Sequence, residues 1–182
     1  MIHQDRQAEI ARKGTLVPED VVELILADHR LFEDLLRTLR SSESDRRTAL
    51  GELASVLVAH AEAEESEVYP ALRKLSADDA EDVEHGAEEH TEGHEALLAL
   101  MECAETGTDE WDSRLEALSG ALTHHLDEEE RTVLNDARAS VSQERRAELG
   151  RIFRDKRREL VDADCGRIDA VRELVRKKES GR

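Results

Sequence analysis

Helical periodicity in four successive segments constrains the fold of this chain most strongly. Apolar side chains recur at steps of three and four within residues 18–40, 44–70, 76–101 and 108–133, the spacing that places them on one face of an α-helix. Short connections between long helices make neighbours antiparallel, so we predict an all-α, antiparallel up-down-up-down four-helix bundle. Aromatic residues make up only 2% of the chain, which indicates a core built from aliphatic side chains.

Each segment begins with a residue type that suits the start of a helix. Proline fits the first helical turn, and Ser, Thr or Asp caps the backbone N–H groups that have no partner there. The predicted start signals are Pro18, Ser44, Asp45, Ser76 and Thr108. We expect Pro70 to bend or weaken the second helix, because it lacks a backbone N–H.

Charge divides the chain into an acidic body and a basic end. Residues 143–182 hold 13 Lys or Arg and 9 Asp or Glu, whereas the rest of the chain holds 13 and 35. We expect a flexible tail at 1–17, the bundle at 18–140 and a basic helical extension at 141–182. Apolar spacing in the extension, with a break near 162–166, predicts one or two extra helices packed on the acidic bundle. An arm that binds a partner or drives oligomerisation is the alternative.

Composition also limits the partners of the protein. A formal net charge of −18 opposes binding to nucleic acid and to anionic membranes. The longest apolar run, residues 96–101, is too short for a membrane span or a secretory signal, so we expect a cytoplasmic protein. Cys103 and Cys165 lack a CxxC spacing, and we expect both to remain thiols.

Histidines and glutamates interrupt the apolar faces of all four helices. They are His29 on the first, His60 and Glu64 on the second, His90 and His94 on the third, and His125 and Glu129 on the fourth. A buried ionised carboxylate without a partner costs several kcal/mol, and no Lys or Arg lies near it on the same faces. A hydrogen-bonded core histidine explains one such position but not the whole set. We therefore predict a metal site in the bundle.

A period of 65 residues separates three pairs of these side chains. The pairs are His29 with His94, His60 with His125, and Glu64 with Glu129. Two copies of a helical hairpin, each contributing half of the ligands, predict a site for two metal ions. Imidazole and carboxylate without thiolate suit iron, manganese or zinc, but seven ligands exceed the four of a closed zinc site. Iron is the metal that fits best.

The motifs resemble those of the hemerythrin-like, or HHE cation-binding, family. They are "DHRLFEDLLRTL", "HAEAEESEVYP", "EEHTEGHEALLAL" and "HHLDEEE", and the likeness covers residues 18–138. The resemblance implies a non-haem di-iron centre with an oxo or hydroxo bridge and an open iron position for O₂, peroxide or NO. It implies that one iron is held by His90, His94 and His125, the other by His29 and His60, with Glu64 and Glu129 bridging.

Some positions depart from the family pattern or remain open. His124 has the family's alternative five-residue spacing to Glu129, but His125 continues the apolar face and obeys the 65-residue period, so we prefer it. Many relatives use a single histidine of the third helix, which leaves the choice between His90 and His94 open.

The remaining candidates lie beside the predicted ligands. Glu65 and Glu130 follow a ligand by one residue, and they either orient histidines or are solvated charges on the helix surface. We expect Tyr69 to be a packed residue before the helix bend. His3 and His85 lie off the apolar faces, and we expect both at the surface.

The leading functional hypothesis is a di-iron protein that binds or redox-processes a small ligand such as O₂, H₂O₂ or NO. One alternative is an enzyme at the same centre, with catalase-like or NO-reducing activity. Another is a regulatory module, in which metal or redox state changes the docking of the basic extension. We expect a monomer or a weak homo-oligomer.

Overall fold

The computed structural model describes residues 19–42, 44–74 and 79–180. Every regular element within these ranges is helical. The helices are α1 (Val21–Arg40), α2 (Arg46–Ala63), a π-helical turn (Glu64–Val68), α3 (Tyr69–Arg73), α4 (Asp79–Met101), α5 (Asp109–Arg131), α6 (Val133–Ser140), α7 (Gln143–Asp162) and α8 (Ile168–Ser180). The predicted N-terminal tail and His3 lie outside the described residues.

Four long helices form the bundle. Helix α1 packs against α2 and α5, and α4 packs against α5 and α2. The all-α bundle with extra C-terminal helices is therefore confirmed. None of the described helices is long and apolar enough to cross a membrane.

Side-chain caps set the starts of three bundle helices. Asp45 accepts a hydrogen bond from the backbone N–H of Thr48, and Thr108 accepts one from Trp111. Helix α1 begins three residues later than Pro18, because Asp20 caps the N–H of Val22 at 3.0 Å. Ser76 lies outside the described residues.

A π-helical turn carries the chain through Pro70 without ending the second helix. The backbone N–H of Tyr69 bonds to the carbonyl of Glu64, five residues earlier. Pro70 has no N–H to donate, and the wider turn just before it lets the helical path continue into α3. Such turns are frequent at functional sites, and this one begins at a predicted ligand.

The core consists of two apolar clusters separated by the polar layer. Along α1, Ile25 belongs to one cluster and Phe32 to the other, with His29 between them. Leu122 on α5 and Val133 at the start of α6 also belong to different clusters, and the predicted ligands His125 and Glu129 lie between them along the chain. The histidines and glutamates therefore lie at one level of the bundle, closed above and below by hydrocarbon.

The C-terminal helices pack on the bundle at two close backbone approaches. Helix α7 lies across α1 and α2, and α8 packs along α4. A β-carbon on Gly150 would lie 1.6 Å from the carbonyl oxygen of Glu19, and one on Gly166 would lie 2.3 Å from the backbone nitrogen of Ser55. The helices separate between Asp162 and Ile168, around the expected break. The proposed domain boundary at residue 140 stays a prediction.

Candidate metal centre

All seven predicted ligands are buried, and none exposes more than 4% of its surface. They are His29, His60, Glu64, His90, His94, His125 and Glu129. Helical spacing explains their shared orientation, because residues four apart on α2 and on α5 project from one face of the helix. Burial of the apolar side chains on the same faces also buries these polar side chains.

Six of the seven side chains form two compact groups. The first group is His29, His60 and Glu129, and the second is Glu64, His90 and His125. Within each group, one possible ligand atom from each residue lies within 4.8 Å of the others. Each group can thus surround one cation.

Each buried carboxylate faces both groups. Oε2 of Glu64 lies 3.3 Å from Nε2 of His60 and 3.3 Å from Nε2 of His90. Oε2 of Glu129 lies 3.2 Å from Nε2 of His29 and 3.9 Å from Nε2 of His125. Both carboxylates are placed to be shared between two cations.

The imidazoles are oriented with one nitrogen toward the centre. Nδ1 of each histidine in the two groups lies 3.0–3.2 Å from a carboxylate oxygen, while its Nε2 is buried and forms no well-directed hydrogen bond with any of the described residues. The pairs are His29 with Glu130, His60 with Asp28, His90 with Glu65, and His125 with Glu89. A carboxylate that accepts from Nδ1–H leaves the Nε2 lone pair free for a metal. The donor set therefore fits a metal centre.

Two of these orienting carboxylates were missed by the sequence reasoning. Asp28 and Glu89 each precede a buried histidine by one residue, so the sequence held a signal comparable to that of Glu65 and Glu130. The signal is weak because acidic residues are common on this chain.

Without a metal, the two carboxylates of the centre differ in protonation. Burial and the charge of Glu129 raise the pKa of Glu64 well above its ordinary value. Burial also acts to raise the pKa of Glu129, but the contact with Nε2 of His29 and the charge of His125 hold it below the ordinary value. Burial acts to lower the pKa of His29, yet its contacts with Glu129 and Glu130 raise it overall. Without a metal, these surroundings therefore favour a proton on Glu64 and on His29 and disfavour one on Glu129.

His94 lies outside both groups. It is buried, neither ring nitrogen has a hydrogen-bond partner among residues that the structure describes, and burial lowers its pKa to about 3. It lines a cavity of about 10 Å³ together with His60, His90 and His125. Its role as a ligand stays a prediction.

The contacts give His90 the position that the repeat in the sequence predicted for His94. The 65-residue period pairs His29 with His94, but His90 makes the matching contacts: its Nε2 faces Glu64 and its Nδ1 faces Glu65. His90 lies four residues before His94, about one helical turn. The period identifies the helix face, whereas the packing of α4 determines which turn reaches the centre.

Tyr69 has a larger part in the centre than the sequence indicated. Its hydroxyl donates a hydrogen bond to Oε1 of Glu129 at 2.9 Å. Its ring stacks on that of His90, with centroids 5.7 Å apart. His124, in contrast, is 65% exposed while its neighbour His125 faces the centre.

Helices α7 and α8 each contact the centre through one basic side chain. Arg157 donates to both oxygens of Asp28, at 2.6 and 2.8 Å. Lys178 donates to Oε1 of Glu65 at 2.6 Å. Both carboxylates also face the Nδ1 atom of a histidine in the centre, so the basic extension supports the residues that orient the imidazoles.

The fold and the buried imidazole and carboxylate groups define an all-α protein with a metal-binding centre. A family model described as the hemerythrin HHE cation binding domain matches residues 20–137. The chain belongs to this family, and the resemblance found in the sequence is confirmed. Comparisons with curated proteins and with solved structures gave no match.

Proposed function

We propose that this protein is a non-haem di-iron protein that binds or redox-processes a small ligand such as O₂, H₂O₂ or NO. The observation that carries the proposal is the pair of buried groups with Glu64 and Glu129 facing both. Imidazoles and shared carboxylates without thiolate suit iron or manganese, and their number exceeds the four ligands of a closed zinc site; we propose iron as the metal. When bound, iron supplies the redox chemistry.

The protein residues hold the ions and control their surroundings. Nε2 atoms of four histidines and both glutamates would provide the ligands, and the carboxylates on Nδ1 fix the tautomer. The two apolar clusters exclude bulk water from the polar layer. Tyr69 donates a hydrogen bond to Glu129, which restrains that carboxylate on the side away from the histidines.

The space beside the second group favours a small ligand. The cavity next to His90 and His125 has a volume of about 10 Å³, close to the minimum for one water molecule. Leu57 and Leu122 line it together with the histidines. The space holds at most a water-sized ligand, so a diatomic molecule or peroxide requires a small movement of the leucine walls, and a larger organic substrate requires their rearrangement.

Metal analysis of the protein grown with iron tests the proposal. We expect two iron ions per chain and near-ultraviolet charge-transfer bands that azide perturbs. Glu64→Ala or Glu129→Ala should abolish the paired occupancy and leave the helical circular dichroism unchanged. Two ions per chain in either variant would refute the assignment of these carboxylates as bridges.

An assay with excess peroxide distinguishes ligand binding from catalytic turnover at the same centre. Sustained oxygen release from the iron-loaded protein with excess peroxide would identify a catalase-like enzyme. Bleaching that stops after stoichiometric consumption would identify binding or sensing.

A second candidate function is a metal-dependent or redox-dependent regulatory module. It is favoured by the contacts of Arg157 with Asp28 and of Lys178 with Glu65, which connect the basic extension to the centre. Hydrogen exchange of α7 and α8 should then slow on iron loading. Equal exchange with and without iron would refute this function and leave the di-iron proposal intact.

A further inference from the structure

A second cluster of possible metal ligands lies at the surface, on α4 and α5. His85 and His124 flank Glu89, and one ligand atom from each lies within 4.8 Å of the others. Nε2 of His124 is 3.2 Å from Oε1 of Glu89, and Nε2 of His85 is 3.6 Å from the same oxygen. The histidine side chains are 65% and 53% exposed, so both imidazoles are open to ions from solvent.

The surroundings of the Glu89 carboxylate indicate that this cluster binds a cation. Glu89 is only 7% exposed, and its Oε2 lies 3.0 Å from Nδ1 of His125. Its Oε1 is buried without a hydrogen-bond partner among the described residues, and it is directed toward the two imidazoles. A buried carboxylate oxygen that forms no well-directed hydrogen bond is unfavourable. A cation shared with the imidazoles would remove that penalty.

We propose that His85, Glu89 and His124 form a separate surface site for a divalent transition metal of the Zn²⁺ type. Two imidazoles and one carboxylate oxygen are the ligands that such ions take, with water in the remaining position. His85 and Glu89 lie four apart on α4 and therefore project from one face. His124 comes from the neighbouring helix, so the ion would join α4 to α5.

The site would be coupled to the buried centre through the two oxygens of Glu89. A cation on Oε1 draws electron density from the carboxylate and weakens its hydrogen bond with Nδ1 of His125. His125 then becomes a weaker donor at Nε2. This consequence rests on the proposed function, whereas binding of the surface ion does not.

Zinc titration of the iron-loaded protein tests the site. We expect one Zn²⁺ per chain to bind by calorimetry while elemental analysis shows that the iron is retained. The variant His85→Ala/His124→Ala should lose this equivalent, and both residues are exposed, so the fold should be preserved. A matched control changes two exposed acidic residues four apart on α5, Asp112→Ala/Glu116→Ala, and should bind zinc as the unaltered protein does.

Two results would overturn the inference. One is zinc binding of equal affinity in the histidine double variant and in the unaltered protein. Another is zinc uptake that matches the loss of iron in both proteins, which would place the zinc in the buried centre. The same titration on protein grown without added iron distinguishes the two proposals, because the surface equivalent should persist and still depend on His85 and His124.

Discussion

Replacing Glu64 by Gln should stabilise the protein without metal and abolish the stabilisation that metal provides. Glu64 is fully buried, and within the described part of the chain neither carboxylate oxygen forms a well-directed hydrogen bond, although Oε2 lies 3.3 Å from Nε2 of His60 and of His90. The metal-free protein must therefore keep a proton on this group or bury its charge. Gln has nearly the same shape and carries no charge, so it removes this penalty together with the ligand.

The size of the stabilisation by Glu64→Gln follows from the pH dependence of the free energy of unfolding. Burial and the charge of Glu129 raise the pKa of Glu64 in the folded state above the ordinary 4.5. The stability that this proton provides is full below pH 4.5 and is lost as the pH rises through the folded pKa. In this window the free energy of unfolding falls by about 1.4 kcal/mol per pH unit relative to Glu64→Gln.

Glu129→Gln is the matched control, since it makes the same chemical change at the other shared carboxylate. Hydrogen bonding to His29 contributes to the lowered pKa of Glu129, despite the opposing effect of burial. A lowered pKa provides stability above pH 4.5 that is lost as the pH falls. Glu129→Gln should therefore destabilise the metal-free protein at pH 7, by about 1–3 kcal/mol.

Urea unfolding with a chelator, at pH 5 and pH 7, measures both variants. We expect the two variants to change the free energy of unfolding with opposite signs at pH 7, and the effect of Glu64→Gln to be smaller at pH 5. With iron, both variants should lose the increase in stability, which reaches about 4 kcal/mol at a free metal concentration one thousand times Kd. Destabilisation of the metal-free protein by Glu64→Gln at pH 7 would refute the account of its protonation.

Three further substitutions test contacts around the centre. Tyr69→Phe removes the hydrogen bond to Glu129 and should lower the free energy of unfolding by about 1 kcal/mol, measured in urea; an unchanged value would contradict that bond. Gly150→Ala places a methyl group against backbone of the α1 start and should cost about 1–3 kcal/mol, seen as a lower thermal midpoint. Arg157→Met removes the bidentate contact that positions Asp28 against Nδ1 of His60, and this loss of orientation should weaken iron binding about 10-fold, measured by competition with a chelator.

Periodicity predicted the bundle because helix faces are encoded locally. In the second and fourth helical segments, a predicted ligand histidine and glutamate lie four residues apart among aliphatics, and this spacing alone places them on the inner face. The choice of His125 over His124 follows from the same spacing, and the structure places His125 at the centre and His124 at the surface.

The same spacing could not predict which turn of α4 faces the centre. His90 and His94 share one face, and only the packing of that helix against its neighbours brings His90 opposite Glu64. The role of Tyr69 also depends on the path of the chain. The π-helical turn follows from local backbone hydrogen bonding and directs the hydroxyl to Glu129, which no periodic pattern indicates.

The four orienting carboxylates show why the C-terminal extension matters to the centre. Each takes a different supporting partner: Arg157 on Asp28, Lys178 on Glu65, Arg30 near Glu130, and the surface histidines near Glu89. The first two partners lie on α7 and α8, beyond the residues matched by the family. Burial acts to raise the pKa of Asp28, but His60 and Arg157 hold it below the ordinary value, so Asp28 is a weaker base than a free carboxylate. The extension therefore affects how strongly His60 would donate to a metal and also contacts the carboxylate at Nδ1 of His90, whereas the carboxylates at His29 and His125 contact side chains of the bundle itself.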